Sequence, residues 1–257
     1  MAAVSVVDTQ QLAWQETGKP GVLQKQVRSD RTRGHFLGLI GIDSMVRSGL
    51  HQHLGVATSF FMSGGFTDYR GAIKTHEMGI NLKGATHDAI AYGRTEFVAR
   101  LEAPVIYPPE VQLHDLHAGA RHGRIVNPAP EVAPDINIAV DTLAAAIVAP
   151  GVTRQLIFDY TPTEDTRRLV HLRLRPGSRL PRLRTGARTD FWVRGGRLEI
   201  TGVTEQSADA NMFIIVAPDA EITLASEYGA LVLAWAEGPS QWLDAPRDSS
   251  AAELFGF

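Results

Sequence analysis

The sequence contains two copies of one pattern, and this repeat limits the folds that the chain can adopt. Residues 55–65 (GVATSFFMSGG) and 186–196 (GARTDFWVRGG) share a Gly, a Thr, a Phe and a closing Gly pair at an offset of 131 residues. Upstream, Pro-Gly-Val begins at Pro20 and Pro150, and Val-Asp-Thr begins at Val7 and Val140, in the same order. Because twice this offset nearly equals the chain length of 257 residues, the repeat predicts two copies of one module.

Both copies are rich in short segments typical of β-strands. The segments are apolar or alternating and are broken by Gly, Pro, Asp or Asn, whereas long segments with helical periodicity are scarce. Many short strands at close spacing predict sandwiches or closed barrels. The clearest candidates are residues 35–42, 59–62, 169–174, 191–193, 213–216 and 230–235.

A proline-rich segment separates the two copies. Residues 108–134 hold five prolines, which favour extended and irregular backbone. We therefore predict an N-terminal module over 1–107, a linker over 108–135 and a C-terminal module over 136–257. We interpret the histidines of the linker as solvated loop residues, with a second metal site as the alternative; they are His114, His117 and His122.

Composition excludes several classes of function. With 25 basic and 28 acidic residues, the chain has no charge excess that would hold a nucleic acid. The absence of cysteine excludes disulfides, thiolate zinc sites, iron–sulfur clusters and a cysteine nucleophile. The first residues lack the features of a secretory signal, and no apolar run reaches the roughly 20 residues that span a bilayer. We expect a cytoplasmic protein that binds neither nucleic acid nor membrane.

Three histidines of the first copy are candidate metal ligands. His51 and His53 stand at i and i+2, so on a strand both imidazoles leave the same face. His87 follows a second turn-like segment that begins at Gly84. A His-x-His pair and a third histidine from a neighbouring strand can close three sides of a metal polyhedron.

The spacing around these histidines resembles the motifs of the cupin superfamily. His51-x-His53-(x4)-Thr58-(x6)-Gly65 is similar to the first cupin motif, with Thr58 in place of the usual Glu. Gly84-x-x-His87 is similar to the core of the second motif, although Leu82 stands where Pro is usual and Ala91 where Asn is usual. With both copies counted, the chain resembles a bicupin related to ChrR-like cupins and to dioxygenases that cleave acetylacetone or 2,4'-dihydroxyacetophenone.

The resemblance implies an all-β chain of two tandem cupin (double-stranded β-helix, jelly-roll) barrels. It also implies a divalent metal on His51, His53 and His87. Three neutral imidazoles leave the full charge on the metal, which favours anionic, chelating substrates such as enolates. Asp68 and Glu77 are candidates for a fourth ligand, with a turn carboxylate or a partner of an imidazole as the alternative for each.

Strand alternation predicts which residues of the first copy face the substrate. If position 58 faces inward with the ligands, Thr58, Phe60 and Met62 form a wall of the substrate pocket. The alternative is that these side chains simply fill the barrel core.

In the second copy, the same alignment removes the metal ligands. Arg182 and Arg184 occupy the places of His51 and His53, and Glu221 or Ile222 stands where His87 would correspond. Because arginine stays protonated and has no lone pair for a metal, we predict a metal-free C-terminal module. We expect Arg182 and Arg184 to serve the fold or an interface, including a homodimer, with anion binding as the alternative.

The resemblance implies an Fe2+ dioxygenase that uses O2 to cleave a C–C bond of a small diketone or hydroxyketone. Zn2+, Mn2+ or Ni2+ would fit the same ligands and would favour isomerase, hydrolase or lyase chemistry. The other alternative is a regulatory or non-catalytic metal-binding cupin of the ChrR-like sensor type. The residues alone assign no catalytic acid or base.

Overall fold

A computed structural model of the chain describes residues 3–68, 71–107, 135–160, 167–202, 205–244 and 253–257. Across these ranges the secondary structure is almost entirely β, with one 3-10 turn at Val140–Thr142. None of the described residues forms a helix long and apolar enough to span a membrane. The chain divides into an N-terminal unit, residues 12–141, and a C-terminal unit, residues 1–11 with 142–257.

The N-terminal unit is built from a large sheet and two small ones. The large sheet has the order β15-β10-β7-β13-β4-β3-β2, and the small sheets have the orders β11-β6-β14 and β5-β12-β8-β9. The strands are β2 (Gln15–Glu16), β3 (Val22–Asp30), β4 (His35–Ile42), β5 (Val46–Arg47), β6 (His51–His53), β7 (Ala57–Ser63), β8 (Gly65–Asp68), β9 (Gly71–Lys74), β10 (Glu77–Asn81), β11 (Thr86–His87), β12 (Ile90–Ala91), β13 (Thr95–Leu101), β14 (Val105–Ile106) and β15 (Asp135–Ala139).

The C-terminal unit is built from one branched sheet. Its main path has the order β16-β17-β18-β25-β21-β24-β20-β26, with β1, β19, β22 and β23 paired off this path. The strands are β1 (Val4–Asp8), β16 (Ala145–Ala149), β17 (Val152–Phe158), β18 (Arg168–Leu174), β19 (Ser178–Arg179), β20 (Leu183–Thr185), β21 (Thr189–Gly202), β22 (Gln206–Asp209), β23 (Met212–Val216), β24 (Glu221–Ser226), β25 (Ala230–Ala236) and β26 (Ser240–Trp242).

The repeat in the sequence corresponds to a repeat in strand pairing. In the N-terminal unit β7 lies between β10 and β13, and Thr58 pairs with Ile80. In the C-terminal unit the first part of β21 lies between β23 and β25, and Thr189 pairs with Val216. Equivalent residues of the repeated pattern therefore have equivalent neighbours.

One strand of each unit lies outside the range of sequence that was predicted for that unit. Strand β1, at the start of the chain, pairs with β23 of the C-terminal unit. Strand β15, which follows the proline-rich segment, pairs with β10 of the N-terminal unit. Each strand covers an edge whose backbone groups would otherwise lack partners. Residues 108–134, with His114, His117 and His122, lie outside the described residues.

The interiors of the two units carry different side chains. In the N-terminal unit, Phe61 and Phe97 stack at a ring-centroid distance of 5.0 Å, and Phe66 meets both rings edge-on. These rings lie beside a cavity of about 300 Å³. The C-terminal unit has a larger group of buried apolar side chains that includes Leu183 and Ile222, both fully buried.

Candidate metal centre

Two short strands bring the three predicted ligands together. His51 and His53 lie on one face of β6 because successive side chains of a strand alternate. In the antiparallel pairing of β11 with β6, His87 is directly opposite His51. The Nε2 atoms of His53 and His87 are 3.2 Å apart, and one donor nitrogen from each ring lies within 4.8 Å of the others.

Local turns hold these strands in register. Gly49 precedes β6 with φ of +75°, a conformation that favours glycine. Gly84, with φ of +93°, donates its N–H to the carbonyl of His53, and the N–H of His53 donates to the carbonyl of Ala85. The side-chain amide of Gln52 donates to Thr86 Oγ1 at 3.2 Å on the other face of the same pair.

Hydrogen bonds orient two of the imidazoles. The Nδ1 of His51 is 2.6 Å from the carbonyl oxygen of Gly49, and the Nδ1 of His87 is 3.0 Å from Oδ2 of Asp68. A neutral imidazole that donates through Nδ1 keeps the lone pair of Nε2 for a metal. A carboxylate on the outer nitrogen also fixes the ring and raises its basicity as a ligand.

The surroundings of the cluster favour neutral rings. Burial lowers the pKa of His51 to about 3, and the charge of His87 acts in the same direction. Burial likewise lowers the pKa of His53 well below its usual value, with His51 and His87 adding to the shift. Metal ligation requires the deprotonated imidazole nitrogen, so the donor set fits a divalent ion that accepts nitrogen ligands.

The two candidate fourth ligands have different positions. Asp68 lies at the end of β8, and its carboxylate contacts Nδ1 of His87. This is the position of a residue that orients the imidazole through its outer nitrogen. Glu77 begins β10, and its Oε2 accepts the backbone N–H of Lys74 in the turn from β9. Among the described residues, the group whose donor atoms lie close enough for one ion consists of the three histidines.

The cavity beside the histidines is mostly apolar. The Phe61–Phe66–Phe97 cluster forms one part of its wall, and Ser48, Lys19 and Tyr107 add polar groups. Further apolar lining comes from Val22, Ile40, Ile42, Ile73, Ala89, Ala99, Leu101 and Val105. Such a volume is at the lower end of the roughly 300–1,000 Å³ of small-molecule sites.

The predicted pocket wall is wrong by one residue. Ala57, Ser59 and Phe61 line the cavity, whereas Thr58 and Phe60 are buried on the opposite face of β7. Met62 lies at a bulge, where Ser63 pairs with Glu96 but Phe61 already pairs with Phe97. The prediction failed at its premise that position 58 faces inward with the ligands, because alternation counted from His53 leads to Ala57, Ser59 and Phe61 instead.

The sequence analysis did not identify several polar residues of the cavity, among them Lys19, Tyr107 and Ser48. Lys19 lies in the β2–β3 hairpin, and burial lowers its pKa while the charge of Asp88 opposes that shift. Tyr107 follows β14, its ring centroid lies 5.9 Å from that of His51, and burial raises the pKa of its hydroxyl. Ser48 precedes β6 and accepts the N–H of Ala89 at 2.9 Å. Lys19 and Tyr107 reach the site through long-range packing that no local pattern records, whereas Ser48 lies just before His51 in the sequence.

The C-terminal unit places different residues at the corresponding positions. Leu183 pairs with Ile222, as His51 pairs with His87, and the next inward residue of β20 is Thr185. Arg184 lies on the exposed face and pairs with Glu221 at 2.5 Å. The alignment of Arg182 and Arg184 with the histidines is therefore wrong by one residue.

Comparisons with known proteins agree with this architecture. Residues 2–105 match the model of the ChrR cupin-like domain family. A search of curated protein sequences finds no significant match. The family match covers the first part of the chain, and the structural likenesses that follow show the fold.

Several solved structures share the fold at low sequence identity. A candidate dioxygenase from Nostoc punctiforme superposes with a TM-score of 0.69 at 9% identity, covering 98% of this chain and 86% of its own. The formate complex of Lactobacillus farciminis oxalate decarboxylase gives 0.65 at 12%, covering 93% and 88%. The Bacillus subtilis oxalate decarboxylase studied for its Mn(II) centres gives 0.63 at 9%, covering 93% and 79%. The prediction of an all-β cupin fold is confirmed.

Proposed function

We propose that the N-terminal unit binds one divalent metal ion through Nε2 of His51, His53 and His87. We propose further that the chain is an Fe2+-dependent dioxygenase for a small diketone or hydroxyketone. The observation that carries this proposal is the group of three converging imidazoles beside an apolar cavity of about 300 Å³. A cavity next to the ligands would let a substrate reach the ion. A regulatory cupin does not require such access.

The residues around the cluster have distinct roles in this proposal. The carbonyl of Gly49 orients His51 by a hydrogen bond to its Nδ1, and the carboxylate of Asp68 orients His87 in the same way. The aromatic wall with Phe61 at its centre excludes water from the substrate, which strengthens electrostatic interactions inside the cavity. When bound, Fe2+ would supply the open coordination positions and the one-electron chemistry that O2 activation needs.

The reaction balances without a further reductant. One O2 and one diketone give a carboxylic acid and a 2-oxoaldehyde, so both oxygen atoms enter the products as the C–C bond breaks. The substrate itself is the reductant. Consumption of O2 and of diketone in equal amounts is therefore a direct prediction.

Two alternative functions have specific support. The oxalate decarboxylase neighbours favour a lyase, and a Mn2+, Zn2+ or Ni2+ ion would fit the same three imidazoles. The match of residues 2–105 to the ChrR cupin-like domain favours a regulatory metal-binding cupin. The bicupin organisation, the metal-free second module and a homodimer remain predictions.

Elemental analysis of protein purified without added metal tests the centre. We expect one transition-metal ion per chain in the wild type, none in His51→Ala, and wild-type content in His35→Ala, which changes a histidine outside the cluster. Full metal content in His51→Ala would contradict the assignment.

O2 uptake with a panel of diketones and hydroxyketones then tests the reaction. We expect uptake that depends on iron and matches the substrate consumed. Product formation without O2 consumption would favour the lyase, and a bound metal without turnover of any panel member would favour the regulator.

A further inference from the structure

We infer that Lys19 binds the anionic head of an otherwise apolar small molecule in the cavity of the N-terminal unit. The head would lie between Lys19 and the three imidazoles, and the hydrocarbon body would pack on the aromatic wall. The inference rests on the proposed function, because it assigns the substrate class of the same site.

The ammonium of Lys19 lies close to the candidate metal centre. A β-carbon at Gly49 would be 2.7 Å from Nζ of Lys19, and the carbonyl of Gly49 is the hydrogen-bond acceptor of His51. Nζ is 5.3 Å from the ring centroid of Tyr107, which is itself 5.9 Å from that of His51. Lys19 and the imidazoles thus belong to the same end of the cavity.

The hairpin that carries Lys19 is firmly held. The hydroxyl and the backbone N–H of Thr17 both donate to the carbonyl of Val22, and the N–H of Val22 donates to the carbonyl of Lys19. Gly21 has φ of +74°, and a β-carbon there would be 2.6 Å from Val46, so the hairpin packs tightly on the start of β5. A fixed hairpin positions the ammonium before a ligand arrives, which lowers the entropic cost of binding.

Within the described part of the chain, the ammonium of Lys19 has no carboxylate partner. Among the described residues, none provides a carboxylate oxygen within salt-bridge distance of Nζ of Lys19. Asp88, whose charge acts on Lys19, already forms an ion pair with Arg47 and lies 3.4 Å from the hydroxyl of Ser48. The donors of Lys19 therefore remain for a ligand.

The rest of the cavity defines the other part of the ligand. Phe61, Phe66 and Phe97 line the same cavity with apolar surface, and their rings pack against one another. An ammonium and a metal ion on the same side of a cavity repel each other, and an anion between them would be attracted to both. A compact anion with an aliphatic or aromatic body matches both parts of the cavity.

Calorimetric titration with benzoate and benzamide tests the inference, because the two probes have nearly the same shape and differ in charge. We compare metal-loaded wild type with Lys19→Met, Lys19→Arg and the matched control Lys74→Met, which removes an exposed charge from β9. Lys19→Met is expected to weaken benzoate binding about tenfold, equal to about 1.4 kcal/mol. Lys19→Arg and Lys74→Met should bind benzoate within about twofold of wild type, and benzamide binding should be the same in all four proteins.

Two results would overturn the inference: equal benzoate affinity in Lys19→Met and wild type, or no preference of the wild type for benzoate over benzamide. Metal content, measured in the same samples, separates this failure from failure of the proposed function. A wild type without metal contradicts the proposed function, whereas normal metal content with unchanged benzoate binding contradicts the role of Lys19 alone.

Discussion

The two units use the same strand pairing around different side chains. In each, a short strand that precedes the repeated pattern pairs antiparallel with a strand further along the chain, and the paired inward positions correspond. The inward residues are His51, His53 and His87 in the N-terminal unit and Leu183, Thr185 and Ile222 in the C-terminal unit. The backbone of this fold thus fixes where the side chains meet, and their identity decides whether they can hold a metal.

The difference also has an energetic consequence. Fully burying a Leu or Ile side chain contributes about 1.5–3 kcal/mol, whereas burying polar groups costs free energy unless partners compensate. Leu183 and Ile222 therefore stabilise the C-terminal unit, whereas in the N-terminal unit hydrogen bonds to His51 and His87 offset part of the cost of burying the imidazoles.

The largest effect on metal binding is expected when His51 is replaced by leucine, the residue at the corresponding position of the C-terminal unit, Leu183. His51→Leu removes the ligand that pairs with His87 and should abolish metal binding. The metal-free variant should be at least as stable as the metal-free wild type, because an apolar side chain replaces a buried imidazole. Metal content and urea unfolding check the two statements, and a strongly destabilised apo variant would contradict the second.

Removing the partner of His87 should have an intermediate effect. Asp68→Asn replaces the carboxylate on Nδ1 by an amide, and loss of such outer partners lowers metal affinity about 10- to 100-fold. Glu77→Gln is the matched control, since Glu77 accepts a turn N–H and should leave affinity unchanged. Competition with a chelator measures both values. Equal weakening by the two substitutions would show that Glu77 also acts at the centre.

The metal-free protein should lose stability in mild acid. The unfolded chain protonates His51 near pH 6.5, but the folded chain does so near pH 3, so between these values the unfolded state binds more protons. Stability should therefore fall as pH drops through this window, by about 2 kcal/mol from His51 between pH 7 and pH 5. Urea unfolding of the apo protein at both pH values measures the change. In His51→Leu the pH dependence should decrease, and an unchanged dependence would contradict the assigned cause.

Local patterns sufficed to predict the fold and the histidine cluster. Short alternating strands with glycine turns indicated an all-β chain. The i, i+2 spacing of His51 and His53 placed both side chains on one face of a strand, whatever the remaining fold. The inward face of β7 was mispredicted because position 58 was assumed to face the ligands. Alternation counted from His53 gives Ala57, Ser59 and Phe61, which are the residues that line the cavity.

Features that depend on long-range packing had no local signal. Lys19 lines the cavity from the hairpin between β2 and β3, and Asp68 contacts His87 from a strand of another sheet. The offset between the two copies also changes along the chain. His51 corresponds to Leu183, and these two residues are separated by one residue more than the 131 residues between the later segments 55–65 and 186–196. A single inserted residue moves every side chain of a strand to the opposite face, which explains the misplaced arginines.

The smallest effect is expected from the arginines themselves. Arg184 and Glu221 form a cross-strand pair on the exposed face of β20 and β24, at the positions that Gln52 and Thr86 occupy in the N-terminal unit. Arg182 is also exposed and lies 3.2 Å from Asp244. Exposed ion pairs are screened by water and salt and contribute little to stability. The double variant Arg182→Ala, Arg184→Ala should therefore keep the metal content, the melting temperature and the benzoate affinity of the wild type. A loss of anion binding in this variant with normal metal content would instead show that the exposed face of the C-terminal unit binds anions.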